Sequence, residues 1–209
     1  FEEIISWITQ LKFFAELEVE RIPLNSVKGW LRDDHSIFHR EHKYFSVIAV
    51  SAEIENREVR CWSQPLVRSA QEGIIAFIMK EINGVYHFLV QAKMEPGNLD
   101  LIEMAPTVQC LTGSYREGEN EYQVEYLEYV LEPEKHNAKV HYSALQSEEG
   151  GRFYQEQNRN IIIEVGRDFD VAVPERFVWM TLSQIKSFIK FNNYLNIQSR
   201  SLLSMIQFV

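Results

Sequence analysis

Short stretches in which apolar and polar residues alternate recur along most of the chain, and this period of two is typical of β-strands. On this basis strands are predicted over residues 44–53, 59–62, 74–82, 85–93, 122–131, 140–145 and 159–165. The strands at 74–82 and 85–93 are joined by Asn83-Gly84, and an Asn-Gly pair between two apolar runs is the strongest short signal for a hairpin.

Helical periodicity is found near the two ends of the chain. Ile4, Ile8 and Leu11 recur at helical spacing and predict a helix over residues 1–17. Two more helices are predicted over residues 181–191, with Thr181 or a neighbour as the N-cap, and over residues 197–205. A mixed, mainly antiparallel sheet flanked by helices is an α+β fold, and residues 1–209 are expected to form one domain.

The predicted strand at 85–93 has two unlike faces and leads into a group of polar residues. Its apolar face carries Tyr86, Phe88, Val90 and Ala92. Gln91 and Lys93 point to the other face, Glu95 follows directly, and Asn98 comes after a Pro-Gly turn. A cation, a carboxylate and two amides are thus gathered at a bend. They form either the floor of a site for a polar small molecule or a solvated end of the strand.

Two earlier positions carry groups suited to a nucleotide. The basic residues His39 and Arg40 are either part of a solvated turn or a contact for a diphosphate, which the fork of an arginine binds well. Trp62 and Gln64 offer an aromatic face and an amide, which a nucleotide base can use for stacking and hydrogen bonding. A single tryptophan is more often a core residue.

Two later positions carry candidate polar groups. Glu149 and Arg152 lie in a glycine-containing stretch that either shapes a loop against a ligand or forms a surface turn. Glu164 lies on a largely apolar predicted strand. A carboxylate in such surroundings is costly unless it has a partner or a functional role.

Composition narrows the class of protein. The chain has 209 residues, 45% of them hydrophobic, and a net charge of −9. This charge argues against nucleic acid or an anionic membrane as the main partner, while a local cluster of arginine and lysine can still bind an anionic small molecule. Cys61 and Cys110 lack the spacing of a metal site and are expected to be free and buried. Without a transmembrane-length apolar run or a signal-peptide pattern, a cytoplasmic protein is expected.

Residues 87–98 and 105–109 (HFLVQAKMEPGN and APTVQ) resemble the signature of the NDP-hexose 2,3-dehydratases of deoxysugar biosynthesis. Further blocks resemble the same family in the same order, at residues 38–50, 62–67, 72–78, 146–165 and 192–206. The resemblance implies that residues 1–209 form a single module of Nudix-like fold. The glycine-glutamate box of the Nudix hydrolases is absent, so the resemblance implies their shape without metal-dependent pyrophosphate cleavage.

The family's reaction removes water across C2 and C3 of an NDP-4-keto-6-deoxyhexose, usually linked to thymidine diphosphate (dTDP). The C4 ketone acidifies the proton on C3, so the reaction needs a base for that proton, a donor to the C4 oxygen and an acid for the departing C2 hydroxyl. It needs no nicotinamide, because the ketone is already present, and no metal if hydrogen-bond donors stabilise the enolate. The resemblance therefore implies a lyase without a cofactor.

Side chains at positions that match the family supply groups of these types, and the sequence does not divide the roles among them. The expected catalytic residues are Lys93 or Tyr115 as the holder of the C4 oxygen, and Glu95, Glu149 or Glu164 as base or acid. The expected substrate-binding residues, for sugar hydroxyls, base and diphosphate, are His39, Arg40, Trp62, Gln64, Gln91, Asn98, Thr107, Gln109, Arg152, Asn160 and Arg200.

Two departures from the family pattern leave other functions open. Family members usually carry two tandem modules and this chain has one, so we expect either a homodimer that recreates the pair or one half of a longer enzyme. In the run after Gln109, Tyr115 is kept, whereas Ser114 stands where the family usually has an asparagine. A non-catalytic module that binds dTDP-linked sugars, and an isomerase or epimerase on the same scaffold, remain as alternatives.

Overall fold

Two β-sheets and four α-helices make up the part of the chain that the computed structural model describes, residues 1–110, 124–148 and 151–206. The strands of the smaller sheet are β1 (Trp30–Arg32), β2 (Ser36–His39), β3 (Phe45–Glu53) and β4 (Cys61–Ser69). The strands of the larger sheet are β5 (Gly73–Ile82), β6 (Val85–Met94), β7 (Ile102–Pro106), β8 (Val108–Cys110), β9 (Lys139–Ser147), β10 (Gln157–Glu164) and β11 (Phe177–Thr181). The helices are α1 (Glu2–Phe14), α2 (Leu127–Leu131), α3 (Leu182–Phe188) and α4 (Ile197–Ser204). The predicted α+β class is confirmed.

The smaller sheet is an antiparallel meander in the order β1-β2-β3-β4. Its last strand is tied to the segment that precedes β10. The backbone N–H of Val67 donates to the carbonyl of Arg152 at 2.8 Å, and the N–H of Tyr154 donates back to the carbonyl of Val67 at 2.8 Å. Backbone hydrogen bonds therefore join the smaller sheet to the segment that leads into the larger sheet.

The hairpin of β5 and β6 forms the centre of the larger sheet, and it divides into a fork. Asn83 and Gly84 have φ angles of 52° and 78°, the positive values that a tight hairpin turn requires. β5 and β6 pair with each other only over residues 79–82 and 85–88. Further from the turn they separate, and β7 pairs with β6 while β8 pairs with β5. The predicted hairpin is confirmed, and the fork puts β7 beside the end of β6.

The outer strands complete the larger sheet in the order β11-β6-β5-β10-β9. β10 runs parallel to β5 and antiparallel to β9, while β11 pairs antiparallel with β6. The segment before α4 lies along β7, because the Met104 N–H donates to the Tyr194 carbonyl at 2.7 Å and the Asn196 N–H donates to the Met104 carbonyl at 3.0 Å. The start of α4 is thereby fixed next to the end of β6.

The larger sheet has a hydrophobic core on each face. The core under α1, α3 and α4 includes the fully buried side chains Phe77, Met104, Met180, Ile185 and Leu202. The core under α2 includes Ile78, Leu89, Ile163, Leu127 and Val130. Burial of a side chain of this size contributes about 1.5–3 kcal/mol, so the packing of both faces sets the register of every strand that ends at the site.

The predicted strand over residues 122–131 is wrong, because the described part of that stretch contains the helix α2. Leu127 and Val130 are both buried and lie on one face of a helix. Tyr126, just before it, has a φ of 64°, a left-handed conformation that is incompatible with a β-strand. The strands β7 and β8 are absent from the prediction because almost all of their residues are buried, so their sequences do not alternate.

The remaining predicted strands and helices are confirmed with small shifts in their boundaries, with one exception. The strand predicted over residues 59–62 is observed as Cys61–Ser69 and shares only two residues with the prediction. The predicted cap of α3 is also confirmed: the Thr181 hydroxyl accepts from the Gln184 N–H at 3.2 Å. Cys61 and Cys110 are both free, but Cys61 is exposed rather than buried, since it begins β4 beside Glu53 at the end of the smaller sheet. None of the described helices is both long and apolar enough to cross a membrane.

Candidate active site

A cleft of about 240 Å³ lies where β6 ends, between β7 and the start of α4. We call it the Lys93 cleft. It is lined by Lys93, Glu95, Asn98, Glu103, Asn196, Ile197, Gln198 and Arg200. Four of the residues expected from the sequence, Lys93, Glu95, Asn98 and Arg200, are thus brought together by strands and a helix that are distant in sequence.

Lys93 and Glu95 form an ion pair at the floor of this cleft. The Lys93 Nζ lies 3.4 Å from Oε1 of Glu95, and their side chains are 26% and 45% exposed. The turn that follows is closed by the Asn98 N–H, which donates to the Glu95 carbonyl at 3.1 Å. Because both side chains are partly exposed, both can contact a ligand in the cleft.

A chain of amide side chains connects Glu95 to the start of α4. The Nε2 of Gln109 donates to Glu95 Oε1 at 3.3 Å, and its Oε1 accepts from Asn196 Nδ2 at 2.6 Å. Asn196 caps α4, since its Oδ1 accepts from the backbone N–H of Ser199 at 2.9 Å. Gln109, Asn196 and Ser199 are all buried, so this network fixes the carboxylate from below.

Glu103 is a second carboxylate in the cleft. It lies on β7 directly opposite Lys93 of β6, and side chains at paired positions lie on the same face of a sheet. Burial is the main cause that raises the pKa of Glu103, and the charge of Arg200 opposes this. The negative charges of Asp100 and Glu95 raise it further, while Lys12 lowers it. The Lys93 cleft therefore holds two carboxylates in different environments, a pattern typical of acid–base sites.

Two expected substrate contacts, Gln91 and Thr107, form hydrogen bonds to the backbone inside the fork. The Nε2 of Gln91 donates to the carbonyls of Pro106 and Thr107, at 2.8 and 3.2 Å. The Thr107 hydroxyl accepts from the Ile78 N–H at 2.9 Å and donates to the Leu89 carbonyl. Thr107 is 1% exposed, so the structure gives both residues the role of holding the fork open and does not bring them to the cleft.

Five expected binding residues, His39, Arg40, Trp62, Gln64 and Arg152, lie on the smaller sheet or beside it. The Trp62 indole N–H donates to Gln64 Oε1 at 2.9 Å, and the Gln64 amide donates to the Gly151 carbonyl at 2.5 Å. Arg40 and Arg152 are exposed. The polar atoms of Trp62 and Gln64 thus tie β4 to the segment before β10, while the two arginines face solvent.

Asn160 and Glu164, both on β10, are not among the residues that line the Lys93 cleft. Asn160 is 2% exposed, and its Nδ2 donates to the Asn158 carbonyl at 3.0 Å. Glu164 accepts from His141 Nε2 at 2.6 Å and from the Tyr86 hydroxyl at 3.2 Å. Tyr86 and Lys93 stand at opposite ends of β6, about 23 Å apart for a strand that rises about 3.3 Å per residue. Glu164 is therefore not placed to share a substrate with Lys93.

His141 and Tyr86 line a second cleft, of about 720 Å³, at the hairpin end of β6. We call it the distal cleft. Its walls are mostly apolar, with Met79, Phe88, Ile162 and Leu182 among its lining residues. The remaining expected catalytic residues, Tyr115 and Glu149, lie outside the described residues.

Glu103 and Asn196 are the site residues that the sequence reasoning missed. Glu103 is the one charged residue in the run Leu101–Pro106, and an ionisable group on an otherwise apolar strand was a usable signal. Asn196 stands directly before the predicted helix at 197–205, where an N-cap is expected. Its contact with Gln109 joins residues far apart in the sequence, and the local pattern contains no sign of it.

Comparison with known proteins places these features in a family. The family model described as NDP-hexose 2,3-dehydratase matches residues 1–206. Two proteins named dTDP-4-dehydro-6-deoxy-alpha-D-glucopyranose 2,3-dehydratase, from Saccharopolyspora spinosa and Streptomyces violaceoruber, are 42% and 39% identical to this chain over 204 and 208 residues. Each alignment covers 98% of this chain but only 42% and 45% of the relative. The chain thus spans less than half the length of these relatives.

Two solved structures with some similarity are titled as hydrolases. A structure titled as an ADP compounds hydrolase has a TM-score of 0.43 and 13% identity, covering 77% of this chain and 83% of that chain. A Nudix hydrolase from M. Smegmatis, RenU, has a TM-score of 0.41 and 14% identity, covering 75% of this chain and 97% of that chain. Similarity of this size decides nothing about activity.

Proposed function

Since the chain belongs to the NDP-hexose 2,3-dehydratase family, we propose that it is a catalytic module of a lyase that acts on a dTDP-linked 4-keto-6-deoxyhexose. The observation that carries the proposal is the Lys93–Glu95 ion pair on the floor of a polar cleft. The substrate and the reaction follow those in the names of the relatives.

The proposed reaction is an elimination in two steps. A base removes the proton from C3, and the electron pair of that C–H bond delocalises onto the C4 oxygen as an enolate. The enolate then forms the C2–C3 double bond as the C2–O bond breaks, and the C2 hydroxyl leaves with a proton as water. The resulting enol becomes a 3,4-diketo-2,6-dideoxy sugar.

Lys93 is the proposed donor to the C4 oxygen. An ammonium group held in a partly water-excluded cleft stabilises the negative charge that develops on the enolate. Glu95 lies beside it and is held by Gln109 on the side away from solvent, which suits a base that accepts the C3 proton. The proposed route uses neither a nicotinamide nor a metal, because the substrate already carries the ketone.

Arg200 and Asn98 complete the proposed substrate contacts. Arg200 is exposed at the rim of the cleft, one turn into α4, where a guanidinium can bind a diphosphate with two parallel hydrogen bonds. Asn98 lies in the turn after β6 and offers an amide to a sugar hydroxyl.

The module is also proposed to work as one of a pair, either with a second copy or with a second module. The far end of α1 leaves Phe13 and Phe14 81% and 72% exposed, which is unusual for aromatic side chains of a monomer. In contrast, α4 is already covered by its own sheet, with Leu202 and Leu203 buried, so it does not contribute to this expectation. Sedimentation across micromolar concentrations tests the homodimer, and a single monomeric species would reject it. We further propose a cytoplasmic location, where nucleotide-linked sugars are made.

The direct test is incubation with dTDP-4-keto-6-deoxyglucose and analysis of products by mass spectrometry. The proposed lyase yields a product that has lost one water. Adding o-phenylenediamine, which condenses with adjacent ketones, should trap the 3,4-diketone. An unchanged mass with altered stereochemistry would indicate an isomerase or epimerase instead.

The second candidate is a non-catalytic module. The alignments cover less than half of each relative, and the rest of such a relative can carry the chemistry. This candidate predicts binding without turnover. Ligand at about 100 times Kd stabilises a protein by about 2.7 kcal/mol, so dTDP should raise the melting temperature under either candidate. No shift at millimolar dTDP would contradict both.

A further inference from the structure

We propose that Glu103 is a catalytic residue of the reaction proposed above, and that its carboxyl group protonates the C2 hydroxyl as that group leaves. The inference rests on the proposed function and assigns one of its steps. Glu103 is not among the residues that the resemblance to the family implies, and the structure alone places it in the cleft.

The first support is position. Glu103 and Lys93 are paired residues of two antiparallel strands, and both line the Lys93 cleft. Paired side chains on one face have Cβ atoms about 4.5–5.5 Å apart. In a hexose, the carbons that bear the C2 and C4 oxygens are separated by C3 alone. A sugar whose C4 oxygen is held by Lys93 therefore presents its C2 oxygen to a neighbouring group. Glu103 is such a neighbour, and its carboxyl group can donate a proton.

The second support is the division of partners among the acidic residues. Glu95 is paired with Lys93 and receives a hydrogen bond from Gln109. Asp100 is paired with Lys12 and accepts from the Leu101 N–H. No hydrogen-bond donor to the Glu103 carboxyl is recorded within residues 1–110, 124–148 and 151–206, although the side chain is partly buried. Of the three carboxyl groups, Glu103 is the one left open to the cleft.

The third support is electrostatic. The charged groups around Glu103 are Lys93 on β6, Glu95 and Asp100 in the connecting turn, Arg200 on α4 and Lys12 on α1. Burial raises the pKa of Glu103 and outweighs the opposing effect of Arg200. A raised pKa brings the carboxyl group closer to the range that suits a general acid.

The proposed step balances without any further reactant. The Glu103 O–H bond breaks and its proton goes to the C2 oxygen, while the C2–O bond breaks and its electron pair leaves with that oxygen as water. The enolate electrons form the C2–C3 double bond and the C4 ketone is restored. Glu103 is left as a carboxylate and takes its proton back from solvent while the enol becomes a ketone.

Exchange of the C3 proton in D₂O separates this role from that of the base. In the Glu103→Gln variant the C3 proton should still be removed and replaced by deuterium, while loss of water slows by about 10²-fold or more, as is typical for loss of a general acid. Mass spectrometry of the recovered substrate measures the exchange, and trapping of the diketone measures the elimination. Glu103→Asp keeps a carboxylic acid and should retain more elimination than Glu103→Gln.

A substrate analogue with fluorine in place of the C2 hydroxyl provides a rescue, because fluoride leaves with less help from an acid than hydroxide. Glu103→Gln should eliminate fluoride from it at a rate close to that of the unchanged protein, a result that a purely structural role does not produce. Glu134→Gln replaces an exposed acidic residue between α2 and β9, away from the cleft, and as the control it should leave both rates unchanged.

Three outcomes overturn the inference. Unchanged loss of water in Glu103→Gln would remove Glu103 from the reaction. Loss of exchange together with loss of elimination would make Glu103 the base or a positioning residue instead. If the unchanged protein binds dTDP but shows neither exchange nor elimination, the proposed function itself fails, and this inference with it.

Discussion

The two ends of β6 carry two clefts of different character. The Lys93 cleft is small, about 240 Å³, and charged or amide side chains line most of it. The distal cleft is larger, about 720 Å³, and its walls are mainly apolar. By size alone the distal cleft would be the default candidate for a binding site.

The difference lies in what the carboxylates at each end of β6 already bind. At the hairpin end, Glu164 accepts hydrogen bonds from His141 and Tyr86, two residues that line the distal cleft, and these bonds join three strands of the sheet. In the Lys93 cleft, Glu95 is held from below by Gln109 and faces a lysine, and Glu103 is open. The comparison shows that some side chains can contact a ligand while buried hydrogen bonds hold them in place. Such side chains indicate an active site better than cavity volume does.

Replacing Lys93 should have the largest effect on activity. Lys93→Met removes the proposed donor to the enolate oxygen, so turnover of dTDP-4-keto-6-deoxyglucose should fall by about 10²-fold or more. Affinity for dTDP should change little, because Arg200 is the proposed diphosphate contact. Lys190→Met, at an exposed position after α3, is the control and should retain normal turnover. Full turnover in Lys93→Met would move the reaction away from this cleft.

Replacing Gln109 should disturb the amide network behind the cleft. Gln109→Leu leaves the buried Asn196 amide without its acceptor, and an unsatisfied buried polar group costs about 1–3 kcal/mol of unfolding free energy. Turnover should also fall, since Glu95 loses the hydrogen bond that orients it. Urea unfolding measures the stability, and Gln157→Leu at an exposed position of β10 is the control. Equal stability of the two variants would show that the network does not hold the site.

Stability as a function of pH should distinguish the two acidic residues near Lys93. Burial raises the pKa of Glu103 above its ordinary 4.5, so its contribution to stability is complete below pH 4.5 and is lost as the pH rises through its folded-state value. Glu103→Gln removes this loss. Its melting temperature, relative to that of the unchanged protein, should therefore rise as the pH increases above 4.5.

The matched variant Asp100→Asn should show the opposite trend. The hydrogen bond from Lys12 is the main cause that lowers the pKa of Asp100 below 3.8. The stability from this pair is present above pH 3.8 and is lost as the pH falls through the folded-state value. Asp100→Asn should thus be less stable than the unchanged protein at neutral pH, with a difference that shrinks in acid. The same trend in both variants would contradict the assigned environments.

Replacing Glu164 should have the smallest effect on activity. Glu164→Gln weakens the contacts with His141 and Tyr86, so the melting temperature should fall slightly while turnover stays unchanged. A strong loss of turnover with normal folding would bring the distal cleft into the reaction and break the comparison between the two clefts.

Local patterns predict the central elements well because their signals are local. The β5–β6 hairpin follows from alternating residues around Asn83-Gly84, and the cap of α3 follows from Thr181. The same reasoning fails for β7, whose residues are nearly all buried, and this strand carries Glu103. A strand buried on both faces has no period of two, so its register against β6 is set by the fork and Thr107.

Part of the candidate site is also predicted by a local pattern. Lys93, Glu95 and Asn98 lie within six residues of one another along the chain, so their proximity follows from the strand and its turn. Glu164 and Asn160 lie on one predicted strand, and the sequence does not show where that strand lies in the sheet. The parallel pairing of β10 with β5 places Glu164 at the hairpin end of the sheet. That pairing depends on a crossover which no local pattern reveals.

Hydrogen–deuterium exchange with and without dTDP-4-keto-6-deoxyglucose tests the central claim most directly, because it maps the bound ligand onto the two clefts in one experiment. We predict slower exchange in peptides that cover residues 93–101 and 196–200, and no change in peptides that cover residues 84–88 and 139–143. Protection at 84–88 and 139–143, with none at 93–101, would contradict the assignment of the Lys93 cleft as the active site.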